Sequence, residues 1–161
     1  MNSGAASDRE EVLAAVTRWE QAQAEVAQLS FTALTAPEVV AVQTRLEQGY
    51  RSQPAVDHRL IYQLTSQSTP IELGANSWPK VLSEALHISK GEAKRRIKQA
   101  ELLGPRTALT GESLPPKLPN VAAAQARGEI GAEHLTIITG FFDDLPPRTS
   151  MVRPAMTPRP T

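Results

Sequence analysis

Apolar residues recur at helical spacing through most of the first 145 residues. The first stripe consists of Val12, Val16, Trp19, Val26 and Leu29. Because residues three or four apart share one face of an α-helix, this stripe predicts a helix over about residues 8–29. Ser7 and Glu10 have the spacing of a capping box, so the helix is expected to start there, after a flexible N-terminus of residues 1–7.

A second stripe follows Thr35 and Glu38, which have the same capping-box spacing. It continues one helical face as far as Tyr50, and a third helix is predicted around Ala55–Thr65. Residues 66–77 contain proline, glycine and asparagine, which predicts a loop.

The segment Trp78–Leu103 has the pattern of two helices joined by a tight turn. The apolar positions of the first helix are Trp78, Leu82 and Leu86. His87 interrupts this stripe, and Ser89 and Glu92 form another capping box, so a second helix is expected over 89–103. The apolar face of that helix consists of Ala93, Ile97 and Ala100. The pattern therefore predicts a helix-turn-helix-like hairpin.

Two further helices are predicted over Asn120–Arg127 and Ala132–Leu145. From Pro146 onward the chain has five prolines in 16 residues and no periodicity, which is typical of disorder. We therefore predict an all-α fold, with a multi-helix domain over residues 8–147 and a disordered proline-rich tail over residues 148–161.

The composition narrows the possible chemistry. There are no cysteines, which excludes disulfides, thiolate metal sites and cysteine nucleophiles. The N-terminus lacks the basic start and apolar run of a signal peptide, and no apolar run approaches the ~18 residues that a membrane span needs. The chain is therefore predicted to be cytoplasmic, with no membrane partner.

Net charge is zero, but positive charge is concentrated in one stretch of the chain. Residues 71–110 hold seven Lys/Arg and four Asp/Glu, whereas residues 1–70 hold five and eight, and residues 111–145 hold two and five. The second helix of the predicted hairpin carries most of this positive charge. That helix is therefore the candidate site for an anionic partner.

A DNA-binding helix-turn-helix needs two helices at a fixed angle, locked by apolar residues, with polar side chains projecting from the second helix. The apolar locking positions here are Leu82, Leu86, Ile88 and Ala93. The candidate DNA-binding residues are Lys90, Lys94, Arg95 and Lys98. In such a complex the basic side chains would meet phosphates, and Arg95 would be able to reach a guanine edge.

Two positions depart from the usual pattern of such motifs. His87 stands where the turn usually has glycine, and Arg96 stands where an apolar residue is common. The alternative is a structural hairpin whose second helix has a solvated basic face.

No catalytic constellation is present in the sequence. The histidines, His58, His87 and His134, have no second ligand at helical spacing, and the phosphate-loop, dinucleotide-binding and nucleophile-elbow motifs are absent. The carboxylates of Glu10-Glu11 and Asp143-Asp144 point about 100° apart on a helix, so neither pair converges on one atom. We predict no enzyme activity, no metal, no cofactor and no small-molecule substrate.

Several unusual motifs follow one another between Trp78 and Pro147. They include Glu92-Ala93…Arg96-Ile97, Leu103-Gly104-Pro105-Arg106, Ala108-Leu109-Thr110-Gly111, Leu114-Pro115-Pro116 and Gly128-Glu129-Ile130-Gly131…Glu133-His134. This combination resembles the actinobacterial family called domain of unknown function 222, whose mycobacterial members are known as 13E12 repeat proteins. The resemblance covers roughly residues 8–147, and the N-terminal helices match more loosely.

Members of that family are commonly longer and often end in an HNH-type endonuclease domain, whose clustered histidines hold a divalent metal and activate water. No residue of this chain matches that centre, so the resemblance implies a non-catalytic accessory domain related to the front part of such proteins, with DNA association as the usual expectation. The chain departs from the family pattern near Arg148, which suggests a truncated or frame-shifted copy.

Two alternatives to DNA association remain. The first is a fragment that pairs with itself or with a full-length relative through the Glu10–Leu29 helix. The second is a remnant without a selected function.

Overall fold

The computed structural model describes residues 3–144, within which it has six α-helices and a short β-hairpin. The helices are α1 (Ser3–Gln28), α2 (Ala36–Gln67), α3 (Trp78–Ala85), α4 (Lys90–Leu103), α5 (Pro119–Ala126) and α6 (Ala132–Asp144). The strands β1 (Arg106–Thr107) and β2 (Ser113–Leu114) pair antiparallel. A 3₁₀ turn at Ile71–Leu73 lies in the segment that was expected to be a loop. The predicted all-α fold is confirmed.

The predicted disordered tail, residues 148–161, lies outside the described residues. Within residues 3–144, no helix combines the length and the apolar character that crossing a membrane requires.

The described part of the chain divides into two compact units, with the boundary between Thr44 and Arg45. The first unit holds α1 and the start of α2. Because α1 begins at Ser3, the predicted start of this helix near residue 8 is wrong. The alanines before Ser7 have high helix propensity, so the helix runs through the expected cap.

The start of α2 agrees with the capping box predicted at Thr35 and Glu38. The backbone N–H and the hydroxyl of Thr35 each donate to Glu38 Oε2, both at 2.7 Å. The hydroxyl bond and then the backbone bond lower the pKa of Glu38, because they favour the charged carboxylate.

The helix α2 is continuous over 32 residues, so the prediction of a separate third helix at Ala55–Thr65 is wrong. Pro54 lies inside α2, where it removes one backbone N–H and crowds the carbonyl of the preceding turn. The Ser52 hydroxyl donates to the Gly49 carbonyl at 2.8 Å. This side-chain donor supplies a hydrogen bond on the N-terminal side of the proline, and the helix continues past it.

The core of the second unit lies where α2, α3 and α4 meet. Its buried residues are Ile61, Leu82, Ala93 and Ala100, and Leu64, Ile88 and Ile97 pack against them. The predicted apolar face of α4 is therefore confirmed. Leu86, predicted to lock the turn, is instead 48% exposed. Leu82 fills the space beside Ala93, and Leu86 lies at the rim of a small apolar cavity shared with Leu60.

The turn between α5 and α6 rests on α2 within the same unit. Gln48 Nε2 donates to the Arg127 carbonyl at 3.0 Å, and Gly128 lies directly against the Gln48 carbonyl. Leu135 of α6 is fully buried. These contacts hold the pair of helices α5 and α6 in the same unit as α4.

Candidate nucleic-acid interface

The turn between α3 and α4 is tight and contains one residue in the left-handed backbone region. Leu86 caps α3 with a φ of −100°, and His87 follows with a φ of +53°, in the left-handed region. The Ile88 N–H then donates to the Ser83 carbonyl at 3.2 Å, which closes the turn. His87 therefore adopts the conformation that glycine supplies most readily. The turn therefore forms although this position has histidine in place of the usual glycine.

Ser89 caps the N-terminus of α4, as its spacing from Glu92 predicted. The Ser89 hydroxyl accepts a hydrogen bond from the Glu92 N–H at 3.1 Å. The Glu92 carboxylate binds two arginines further along the helix, accepting from Arg95 Nε at 2.7 Å and from Arg96 Nε at 2.9 Å. The bond from Arg95 has the largest effect and, with Arg96, lowers the pKa of Glu92 to about 2. Glu92 is therefore charged at neutral pH and neutralises part of the arginine charge.

Three of the predicted DNA-binding residues form an exposed row along α4. Lys90, Lys94 and Lys98 are all exposed and are four residues apart. Residues at this spacing lie above one another on a helix surface. This lysine row starts in the first turn of α4, which is the part of the second helix that a helix-turn-helix protein presents to base edges.

Arg95, the fourth predicted residue, has a different environment. Its guanidinium donates to both Glu92 carboxylate oxygens, at 2.6 and 2.7 Å, and to Gln99 Oε1 at 3.0 Å. It lines a cavity of about 70 Å³ together with His58 and Gln125. A contact between Arg95 and a guanine edge stays a prediction, and it would require the guanidinium to leave these partners.

Arg96 connects α4 to α2. Its Nη1 lies 3.3 Å from Asp57 Oδ2, and both side chains are half-buried. Burial raises the pKa of Asp57, and the positive charge of Arg96 opposes that rise. An ion pair therefore links the two helices at the position where such motifs commonly have an apolar residue.

His58 on α2 is 3% exposed and faces the same small cavity as Arg95. Burial, and then the nearby charge of Arg95, lowers the pKa of His58 to about 4. His58 is therefore neutral at pH 7. The buried Gln125 lines this cavity too, and its Oε1 has no hydrogen-bond partner among the residues that the structure describes.

Acidification from pH 7 to pH 5 should destabilise the second unit by about 2 kcal/mol through His58. The unfolded chain binds a proton near pH 6.5, whereas the folded chain does so only near pH 4. The stabilisation is therefore complete above the unfolded pKa and is lost as the pH falls towards 4. Urea unfolding at the two pH values measures the change. The His58→Gln variant should lose this part of the pH dependence, and an unchanged dependence would contradict a buried neutral His58.

The described part of the chain has no group of three His, Asp or Glu side chains that could hold a metal ion. His58, His87 and His134 lie on α2, on the α3–α4 turn and on α6. The predicted absence of a metal, a cofactor and catalytic residues stays a prediction.

Sequence reasoning missed the polar cluster of His58, Arg95, Gln99 and Gln125. Its members come from α2, α4 and α5, and His58, Gln99 and Gln125 are buried. No local pattern marks them, because each lies on a helix beside apolar positions and becomes buried only through the packing of three helices.

Comparison with known proteins supports the family resemblance. A family model described as "Domain of unknown function (DUF222)" matches residues 40–154. The match begins in α2 and extends beyond Arg148, where the sequence was expected to leave the family pattern. A comparison with solved structures finds no match.

Three similar curated proteins are each about three times as long as this chain. The uncharacterized proteins Mb1179c of Mycobacterium bovis and Rv1945 of Mycobacterium tuberculosis are each 47% identical over 137 residues, which is 85% of this chain and 30% of the relative. The uncharacterized protein MT1160 of Mycobacterium tuberculosis is 44% identical over 140 residues, covering 87% of this chain and 33% of the relative. The chain thus spans about a third of the length of these relatives, and it belongs to the DUF222 family.

Proposed function

We propose that this chain is a non-catalytic accessory domain that binds duplex DNA through α4. The observation that carries the proposal is the lysine row, Lys90, Lys94 and Lys98, exposed on the second helix of a helix-turn-helix hairpin. The tight turn before this helix, in which His87 has a φ of +53°, is consistent with such a hairpin. The relation of this domain to the front part of longer HNH endonuclease-like proteins belongs to the same proposal.

The contacts around α4 leave the lysine row facing away from the core of the second unit. The Ala93 and Ala100 face is buried against α2 and α3, so the opposite side of α4 is available to a partner. Glu92 is occupied by Arg95 and Arg96, which keeps its carboxylate away from the lysine row. Lysines on an exposed helix bind phosphate oxygens as point charges, and this binding does not depend on base sequence.

A salt-dependent titration of a fluorescently labelled duplex of random sequence tests the proposal. Fluorescence anisotropy should show binding at low salt. With three phosphate contacts, the affinity should fall about 40-fold as salt rises from about 50 to about 200 mM. The absence of binding at low salt would overturn the proposal.

A second candidate function is self-association through α1. Every residue from 6 to 33 is exposed, including the apolar stripe predicted for this helix. Val12 is 59% exposed, Trp19 is 50% exposed and Leu29 is 61% exposed. A helix of 26 residues with one apolar stripe is suited to pairing with the same helix of a second copy.

The Val16→Asp/Val26→Asp variant should abolish such a dimer, because it places two charges in the apolar stripe. Light scattering should give twice the chain mass for the unmodified protein and the chain mass for the variant. Gln21→Asp/Gln28→Asp adds the same charge on the opposite face of α1 and should leave the dimer intact. A monomeric unmodified protein would remove this candidate without affecting the proposal for α4.

A further inference from the structure

Trp78 lines two open cavities beside α4. The first has a volume of about 440 Å³ and lies between α2, α4 and the β-hairpin. The second is lined by residues that include Lys94 and Lys98 of the lysine row. Trp78, Ile97 and Glu101 line both cavities. We call the two cavities together the Trp78 groove.

The β-hairpin that forms one wall of this groove is fixed to the helices. The Tyr62 hydroxyl and the Thr107 hydroxyl are hydrogen-bonded, which joins β1 to α2. The Leu118 N–H donates to the Leu102 carbonyl at 3.1 Å, which joins the segment after β2 to the end of α4. Two separate attachments therefore hold the hairpin against α2 and the end of α4.

Positive charge dominates the lining of the groove. Lys94 and Lys98 line the second cavity, and Arg106 and Lys117 line the first. Among the residues that line either cavity, Glu101 is the one carboxylate. The floor is apolar, with the half-buried indole of Trp78 beside Ile97. The groove therefore combines an aromatic surface with two cations in each of its cavities.

An aromatic side chain beside a basic groove is how proteins bind single-stranded nucleic acid, because every base has a face that stacks and every nucleotide has a phosphate. An intact duplex keeps its bases stacked on one another, so it has no base to offer to Trp78. We propose that the Trp78 groove binds an unpaired nucleotide of a DNA strand whose neighbouring duplex contacts α4. This inference rests on the proposed function and adds that the preferred DNA contains a single-stranded gap or end.

The chain allows a direct optical test, because it has two tryptophans and Trp19 lies on α1. The Trp19→Phe variant leaves Trp78 as the sole tryptophan. A single-stranded oligothymidylate should quench the fluorescence of this variant, since a base would stack on the indole. The matched duplex should bind with less quenching. A duplex with a single-stranded gap should bind about tenfold more tightly than the intact duplex.

Two further variants separate this inference from the proposed function. Trp78→Leu should remove the tenfold preference for gapped DNA and leave the affinity for intact duplex within about twofold. Arg106→Gln/Lys117→Gln leaves the indole in place and should also weaken gapped-DNA binding selectively, so the test does not depend on the folding of one variant. Duplex binding without quenching or preference would overturn the inference and leave the proposed function standing. The absence of binding to either DNA would overturn both.

Discussion

The Lys90→Gln/Lys94→Gln/Lys98→Gln variant should bind duplex DNA at least ~100-fold more weakly than the unmodified chain at low salt. The three side chains are exposed in one row on α4. Each lysine that neutralises a phosphate releases about one counterion, so the slope of log affinity against log salt should also fall by about three. Fluorescence anisotropy at several salt concentrations measures both quantities.

The matched control for this variant is Arg9→Gln/Arg18→Gln/Arg45→Gln. It changes the net charge by the same amount, but the three arginines are exposed on α1 and α2. Its duplex affinity should stay within a few-fold of the unmodified value, because none of these arginines lies on α4 and no phosphate contact of that helix is lost. Equal losses in the two variants would indicate attraction by net charge and would contradict a specific role for α4.

The Gly128→Ala variant should lower the free energy of unfolding of the second unit by about 3 kcal/mol. Gly128 has a φ of +69°, and a Cβ atom there would lie 2.3 Å from the Gln48 carbonyl oxygen. The left-handed backbone costs an alanine about 1–2 kcal/mol, and the clash adds a cost typical of overpacking. Relief of the clash would also disturb the bond from Gln48 Nε2 to the Arg127 carbonyl.

Gly111→Ala is the control that separates backbone strain from the clash. Gly111 has a φ of +85°, but a Cβ atom there would meet nothing within 4 Å. Its cost should therefore be about 1 kcal/mol, from the left-handed backbone alone. Thermal unfolding followed by circular dichroism compares the two variants. Equal destabilisation would contradict the close approach of the α5–α6 turn to α2.

Local signals were sufficient to predict most of the helices. The cap at Ser89 and the apolar face of α4 depend on residues within one or two turns of each other, and both are present as predicted. The same local logic failed for α2, where an uninterrupted helix passes through Pro54. A single proline weakens a helix, but the packing of Ile61 and His58 on the far side keeps the helix in place.

The two departures from the helix-turn-helix pattern became understandable only with the structure. His87 occupies the position where such turns usually have glycine, and the structure shows that it takes up the left-handed conformation there in spite of the cost to a residue with a Cβ atom. The partner of Arg96 is Asp57, 39 residues away on another helix. Contacts of this kind depend on the arrangement of helices, which periodicity does not specify.

The sequence predicted only part of the candidate site, because periodicity does not specify contacts between helices. The exposure of Lys90, Lys94 and Lys98 follows from their position off the apolar face of a helix. The position of Arg95 does not, because its guanidinium is held by Glu92 and by the buried Gln99. The sequence identified a basic helix, and the structure divides its charges into an exposed row and an internal network.

The most direct test of the proposal for α4 is an NMR titration of the ¹⁵N-labelled chain with a short DNA duplex at low salt. We expect the largest amide shift changes over Ser89–Lys98 and at His87, with smaller changes in α1 and α6. Changes confined to other helices, with the α4 amides unaffected, would contradict the account, as would the absence of any change.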